Sequence, residues 1–329
     1  MAEFVLAEAS RDLDVFDLAY KTNHKIELSD VETDNTTQLD AYFKKVGTTG
    51  ADPNCEIAAF IQRAVNTELY DAPDELLDML FDRNDIGFND DFQLVRDPEN
   101  TLIAYEAAHG GNVERSYLDI SSAAPAWKNR QIESEISYSD LKRNGWKTVA
   151  LLTEYATDEF KKCMFADIFS ALDGAITSGA NYLASSNTTP SQADMDWISL
   201  YIADKATNGD GNIVSTSKYI QAASKLTGFT SSEIINEVHR NGFLGEYDGI
   251  PMHRIAGGKT TGNGTAIFPA KTMFGIAGKI GTLGMKGSVD VYQVSDPNKE
   301  IVHILFKNFT YGWAFTKENL ENVAKIVFQ

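Results

Sequence analysis

The chain has 329 residues, of which 47 are acidic and 29 basic, giving a formal net charge of −18, and 43% of its residues are hydrophobic. That length exceeds one typical domain, and that apolar content supports a folded core rather than wholesale disorder. The negative surplus repels phosphate and disfavours sequence-specific nucleic-acid binding, and no apolar run approaches the roughly 18–20 residues of a membrane span.

The charge is uneven: residues 1–100 hold 23 acids and 8 bases, the remainder 24 and 21. The start, Met1-Ala2-Glu3-Phe4, does not read as a secretion signal, so a protein made and used in cytoplasm is expected. Cys55 and Cys163 are too few and too far apart for a disulfide framework or a zinc site, and read as reduced thiols filling small gaps.

The first hundred residues read as an irregular arm with short helices. Apolar residues at helical spacing mark Ala7 to Tyr20, then Ile57 to Val65, then Leu76 to Leu80 after Ala72-Pro73-Asp74. Between them lie Thr/Asp/Asn-rich stretches such as Glu32 to Thr37. These helices are too short to close a core alone and require another surface.

Phe92–Val95 and Leu102–Tyr105 read as strands joined by an Asp97-Pro98-Glu99-Asn100 turn. A long segment with Gly110-Gly111-Asn112 and Pro125 follows, and Gln131 to Tyr138 alternates as a half-exposed strand. A stretch of this length without its own core implies a function or an outside partner.

The strongest helical pattern runs from Trp146 through Phe160, Met164 and Leu172 to Ala175, a span of 30 residues. The alternative is a strand over Lys147–Glu154 and a helix capped at Thr157. Residues 190–256 read as α/β, with helices near Gln192–Lys205, Lys218–Leu226 and Ser231–Arg240 and strands near Ile213–Ser215 and Ile250–Ile255. A Gly/Thr loop from Gly257 to Thr265 follows. Glycines at 275, 278, 281, 284 and 287 imply turns or close backbone packing. The carboxyl end reads as strands at Val289–Val294, Glu300–Phe306, Tyr311–Thr316 and Val323–Phe328.

No motif supports catalysis. His109-Gly110-Gly111-Asn112 resembles the oxyanion loop of some esterases, but no G-x-S-x-G elbow accompanies it. Gly258-Lys259-Thr260 lacks the opening glycine and following helix of a phosphate loop, and Asp204–Gly211 lacks the bidentate glutamate of a calcium loop. His24, His109, His239, His253 and His303 show no metal-ligand spacing. No catalytic residue, cofactor site or metal site is therefore expected.

Gln131-Ile132-Glu133-Ser134-Glu135-Ile136-Ser137-Tyr138-Ser139-Asp140-Leu141, running on into Ala156-Thr157-Asp158-Glu159-Phe160, resembles the start of the spine helix in major capsid proteins of tailed bacteriophages, a fold shared with encapsulin shells. Glu246-Tyr247-Asp248-Gly249-Ile250-Pro251-Met252 resembles that family's return from the axial domain. Thr310-Tyr311-Gly312-Trp313-Ala314-Phe315-Thr316, ending in Asn322-Val323-Ala324-Lys325-Ile326, resembles its closing strands.

The resemblance covers about three quarters of the chain and implies an α+β capsid fold. Residues 1–90 would be the amino-terminal arm and 91–138 an extended loop over a neighbouring subunit. Residues 139–185 and 271–329 would form the peripheral domain, and 186–270 the axial domain. Hexamers and pentamers would close an icosahedral shell, assembled in host cytoplasm, around double-stranded DNA touched only non-specifically. A separate scaffolding protein, a portal and a decoration protein are the implied partners, with no membrane.

Arg115, Tyr117, Trp127, Lys128 and Arg130 are the expected contacts with a neighbouring subunit, Trp127 as an anchor. Some family members cross-link a loop lysine to an asparagine, for which Lys128 and Asn308, Asn319 or Asn322 are the candidates. The alternatives are an encapsulin-type cage around cargo and an α/β hydrolase-like enzyme using His109.

Overall fold

Helix α6, Trp146–Ala175, is the axis on which the other elements are placed. The computed structural model describes residues 14–49, 56–71, 74–86, 95–99, 119–206, 211–226, 245–296 and 298–329. Along α6 three aromatic residues each meet a different part of the chain. Trp146 at the start lies 6.0 Å from Phe43 and 5.5 Å from Phe60, ring to ring. Phe160 in the middle lies 4.7 Å from Phe309, and Phe169 further on lies 4.8 Å from Phe268.

The partners of Trp146 come from α1 (Val15–His24), α2 (Asp30–Thr49) and α3 (Glu56–Asn66), which continues into a π turn at Thr67–Asp71. These helices share one apolar core with α6 and the first sheet, burying Leu18, Phe43, Ile61 and Val65. The surface that the short helices require is thus supplied by their own chain. The stretch from Glu32 to Thr37 is helical rather than a linker. Ser29 and Glu32 exchange capping bonds at its start, and Thr33, Thr36 and Thr37 return their hydroxyls to carbonyls one turn back.

Helix α4 (Glu75–Leu80) leads into β1 (Phe81–Ile86), which runs parallel to β10 (Gly281–Lys286). β12 (Ile301–Ala314) is the central strand of this first sheet. One edge of β12 pairs with β11 (Asp290–Asp296) and then with β10; its other edge pairs throughout with β4 (Ala126–Ser137). The two strands expected over Glu300–Thr316 are one strand. Its register shifts between Phe306 and Phe309, with Asn308 at φ +66°, where β12 passes from β11 to β10.

β2 (Val95–Glu99) and β3 (Asp119–Ala123) form a separate antiparallel pair. Asp97-Pro98-Glu99, expected in a turn, lies in β2; each strand of a two-stranded sheet is an edge, where proline is tolerated. Phe92–Leu94 and Leu102–Tyr105 lie outside the described residues.

The second sheet has the order β5-β13-β9-β6-β8-β7, comprising Tyr182–Ala184, Val323–Val327, Thr272–Ala277, Gly211–Thr216, Ile250–Ile255 and Glu246–Tyr247. β9 is buried at every position because α6 covers one face and α7 (Gln192–Lys205) the other. Phe274 and Ile276 join the core around α6, while Met273 joins Met195, Ile198 and Ile326 on the α7 side. Gly275 permits this approach: a Cβ there would stand 2.5 Å from Ile198. Helices α5 (Tyr138–Asn144), α8 (Ser217–Ala223) and α9 (Lys317–Glu321) complete the order. The helix expected over Ser231–Arg240 lies outside the described residues.

Candidate assembly surfaces

Both ends of α6 are closed by other elements. Asp40 of α2 accepts a hydrogen bond from the Trp146 amide, placing negative charge at the helix start. At the far end the Lys325 ammonium, on β13, donates to the carbonyls of Asp173 (2.6 Å) and Ile176 (2.9 Å) and pairs with the Asp173 carboxylate (2.8 Å). Lys325 is only 4% exposed, so these partners compensate a charge that burial would otherwise penalise. Thr157 returns its hydroxyl to Thr153 within α6 and caps nothing, which removes the strand-plus-helix alternative.

Of the expected contact residues, Arg115 and Tyr117 lie outside the described residues. Trp127, Lys128 and Arg130 stand on β4. Arg130 is turned inward: its guanidinium meets Asp167 of α6 at 2.5 Å and the Tyr311 hydroxyl at 3.4 Å, while the Tyr311 hydroxyl donates to Asp167 at 2.5 Å. The bond to Asp167 raises the Arg130 pKa further above its ordinary value; burial and then the same carboxylate raise that of Tyr311. Lys128 is exposed, opposite Tyr311 in register. The Asn308 side chain donates to Asp290 and that of Asn319 to the Lys279 carbonyl.

Trp127 faces outward from the sheet. Its ring lies over Gly312, where a Cβ would come within 2.6 Å of it, with the Lys286 ammonium 5.8 Å from the ring centroid. The two-residue period of β4 places Trp127, Asn129, Gln131, Glu133 and Glu135 on one face. Register then sets two rows across that face: Tyr292, Leu305 and Glu133, and Val294, His303 and Glu135. Tyr292 and Val294 are 51% and 54% exposed. His303 Nδ1 lies 3.5 Å from Glu135 and 3.6 Å from Glu133. This outer face is an acid-edged apolar surface of the type that marks association.

A second apolar surface runs along the first half of α6, where Leu151 and Tyr155 are exposed one turn apart. They flank Glu154, which accepts from Asn23 and meets His24 at 2.9 Å; the ring of Tyr20, also exposed, rests on His24 at 4.2 Å. Periodicity locates β4 and α6, but which of their faces stays uncovered depends on distant pairing with β12 and α1.

Among the described residues no cluster of three or more His, Cys, Asp or Glu is set to hold a metal. Among them, too, no helix is long and apolar enough to cross a membrane. Gly258-Lys259-Thr260 enters a loop closed by a Thr260–Ala266 bridge. Residues 207–210, within the candidate calcium loop, and His109 lie outside the described residues.

No protein-family model matches the sequence, and no curated protein matches it. Solved structures do. A chain in the asymmetric unit of the bacteriophage PhiM1 mature capsid aligns with 75% of this chain and 85% of its own, at 8% identity and a TM-score of 0.50. A chain of Gordonia phage Cozz aligns with 85% of this chain and 96% of its own, at 12% identity and a TM-score of 0.56. For Mycobacterium phage Bobi the values are 85%, 99%, 12% and 0.53. At such identities the likeness is one of architecture: this mixed α+β chain has a fold found in a bacteriophage mature capsid.

Proposed function

We propose that the chain is a major capsid protein, which assembles with copies of itself into the shell of a tailed-bacteriophage head. The observation that carries this reading is the fold likeness to a chain of a phage mature capsid across three quarters of the present chain. The uncovered surfaces support it. An acid-edged apolar sheet face and an apolar stripe on α6 are liabilities in a monomer and contacts in a closed array.

In the finer assignment, α6 and the strands around β12 belong to a peripheral domain over 139–185 and 271–329, and residues 186–270 to an axial domain. Residues 91–138 reach a neighbouring subunit, with Trp127 and Lys128 at the base of that loop. Residues 1–90 form the arm region, whose helices α1 to α4 pack on their own chain. Hexamers and pentamers close by head-to-tail contacts. Scaffolding, portal and decoration proteins are the further partners, and packaged DNA meets an acidic lining without base-specific contact.

Sedimentation velocity of the purified chain, alone and with a co-expressed scaffolding protein, tests the reading. Closed rings or shells many times the 36.2 kDa subunit are expected. A sole species at the monomer mass under both conditions is the contrary outcome.

A further inference from the structure

Between the middle of α6 and the loop after β8 lies a pocket of about 270 Å³. Leu76 of α4 and Phe165 and Phe169 of α6, with Ile255 and Ile267 across from them, give it an apolar floor. Of the cations that line it, three are engaged within the subunit: Lys161 by Glu68 and Lys162 by Asp158, each at 2.5 Å, and Arg254 by a contact of its own. Lys259, exposed at the mouth, has no ion pair among the described residues.

The junction of α1 and α2 carries the converse pattern. Val31, in the first turn of α2, is 70% exposed, and Ile26 before it is 46% exposed. Glu27, Asp30 and Asp34 flank them in sequence, all exposed and without an ion pair among the described residues. Asp34 follows Val31 by three residues, which sets the two side by side on one face of α2. An aliphatic side chain beside a carboxylate matches an apolar floor with an ammonium at its mouth. Because Val31 is exposed in the folded subunit, the junction does not fill the pocket of its own chain.

We propose that the pocket receives the α1–α2 junction of a second copy, with Val31 on the apolar floor and Asp34 against Lys259. The contact joins two different surfaces, so it is head-to-tail, the kind that closes rings. It rests on the self-assembly reading and names a pair of surfaces apart from the Trp127 face.

The test mixes two full-length chains with Cys55 and Cys163 replaced by serine, one carrying Val31→Cys and the other Ala256→Cys, and adds a short-span bismaleimide. Ala256 is exposed and lines the pocket. The expected result is a cross-linked dimer from the mixture and none from either chain alone. Asp34→Lys on the first chain, or Lys259→Asp on the second, lowers the yield about fivefold, as loss of one rim ion pair implies. The two reversals together restore it. No dimer from the mixture, or a yield indifferent to both reversals, overturns the proposal. A dimer from either chain alone does so too, by assigning that surface to a symmetric contact. Rings or shells that form without the cross-link remove this contact and leave the capsid reading standing, whereas a sole species at the monomer mass removes both.

Discussion

The guanidinium of Arg130 on β4 meets the carboxylate of Asp167 on α6 at 2.5 Å, fastening the outermost long strand of the first sheet to the central helix. Arg130 resembles a surface contact in sequence, yet it is spent within the subunit. Because the pair retains partial solvent access, Asp167→Ala is expected to cost about 1–2 kcal/mol in urea unfolding rather than the full value of a buried pair. Tyr311→Phe, which removes only the third member, costs about 1 kcal/mol. A double-mutant cycle between Arg130 and Asp167 with no coupling contradicts the assignment.

Lys325 closes the carboxyl end of α6 from a strand 152 positions away in sequence from Asp173. Lys325→Ala leaves two carbonyls without their donor and removes the charge opposing the helix dipole, with an expected loss of about 2–4 kcal/mol. Hydrogen exchange should rise first over residues 170–176. Uniform protection along α6 in that variant argues against the capping role.

Gly312 and Trp127 separate folding from association. Trp127→Ala uncovers a half-exposed site, so monomer stability falls by no more than about 1.5 kcal/mol, whereas the fraction of protein in pelletable particles falls severalfold. Gly312→Ala drives a methyl group into the Trp127 ring and displaces it, reproducing the assembly defect with Trp127 still present. Particle yield unchanged in both variants removes Trp127 from the intersubunit surface.

Acid acts at the junction of α1 and α2. The Glu32 carboxylate accepts from the Lys21 ammonium at 2.7 Å and from the amide and hydroxyl of Ser29 at 2.8 Å each. Chiefly through Lys21, its pKa falls from the ordinary 4.5 to about 2. A carboxylate depressed in the folded state stabilises fully above its ordinary pKa and loses that contribution as pH falls through the folded value. The contact therefore persists at pH 4.5 and is lost toward pH 2. Carboxyl NMR should find a Glu32 midpoint near 2 that returns toward 4.5 in Lys21→Ala. A wild-type midpoint near 4.5 contradicts the contact.

Elements with an unbroken apolar period are legible in the sequence: α6, α7 and β8 stand where their spacing places them, whereas β4, expected from Gln131 to Tyr138, already begins at Ala126 and gives way to α5 at Tyr138. Three features are not. α2 is hidden because its threonines satisfy themselves by bonding back to the helix, which no propensity scale records. β1 reads as polar because Asp82 and Asn84 face outward, and its pairing with β10 spans about two hundred residues. The break expected in β12 is a bulge, not an end. At the candidate surfaces Trp127 is legible as an outlying aromatic, but the inward turn of Arg130 and the exposure of Tyr292 and Val294 follow from register, which residue types alone do not specify.

Electron microscopy of the purified full-length chain, alone and after co-expression with a scaffolding protein, tests the central claim most directly. The account predicts closed shells, or rings whose class averages show five-fold and six-fold symmetry, into which density for α6 and the β12 sheet can be placed. Dispersed single subunits in both preparations, with no ring or shell at any concentration, would contradict it.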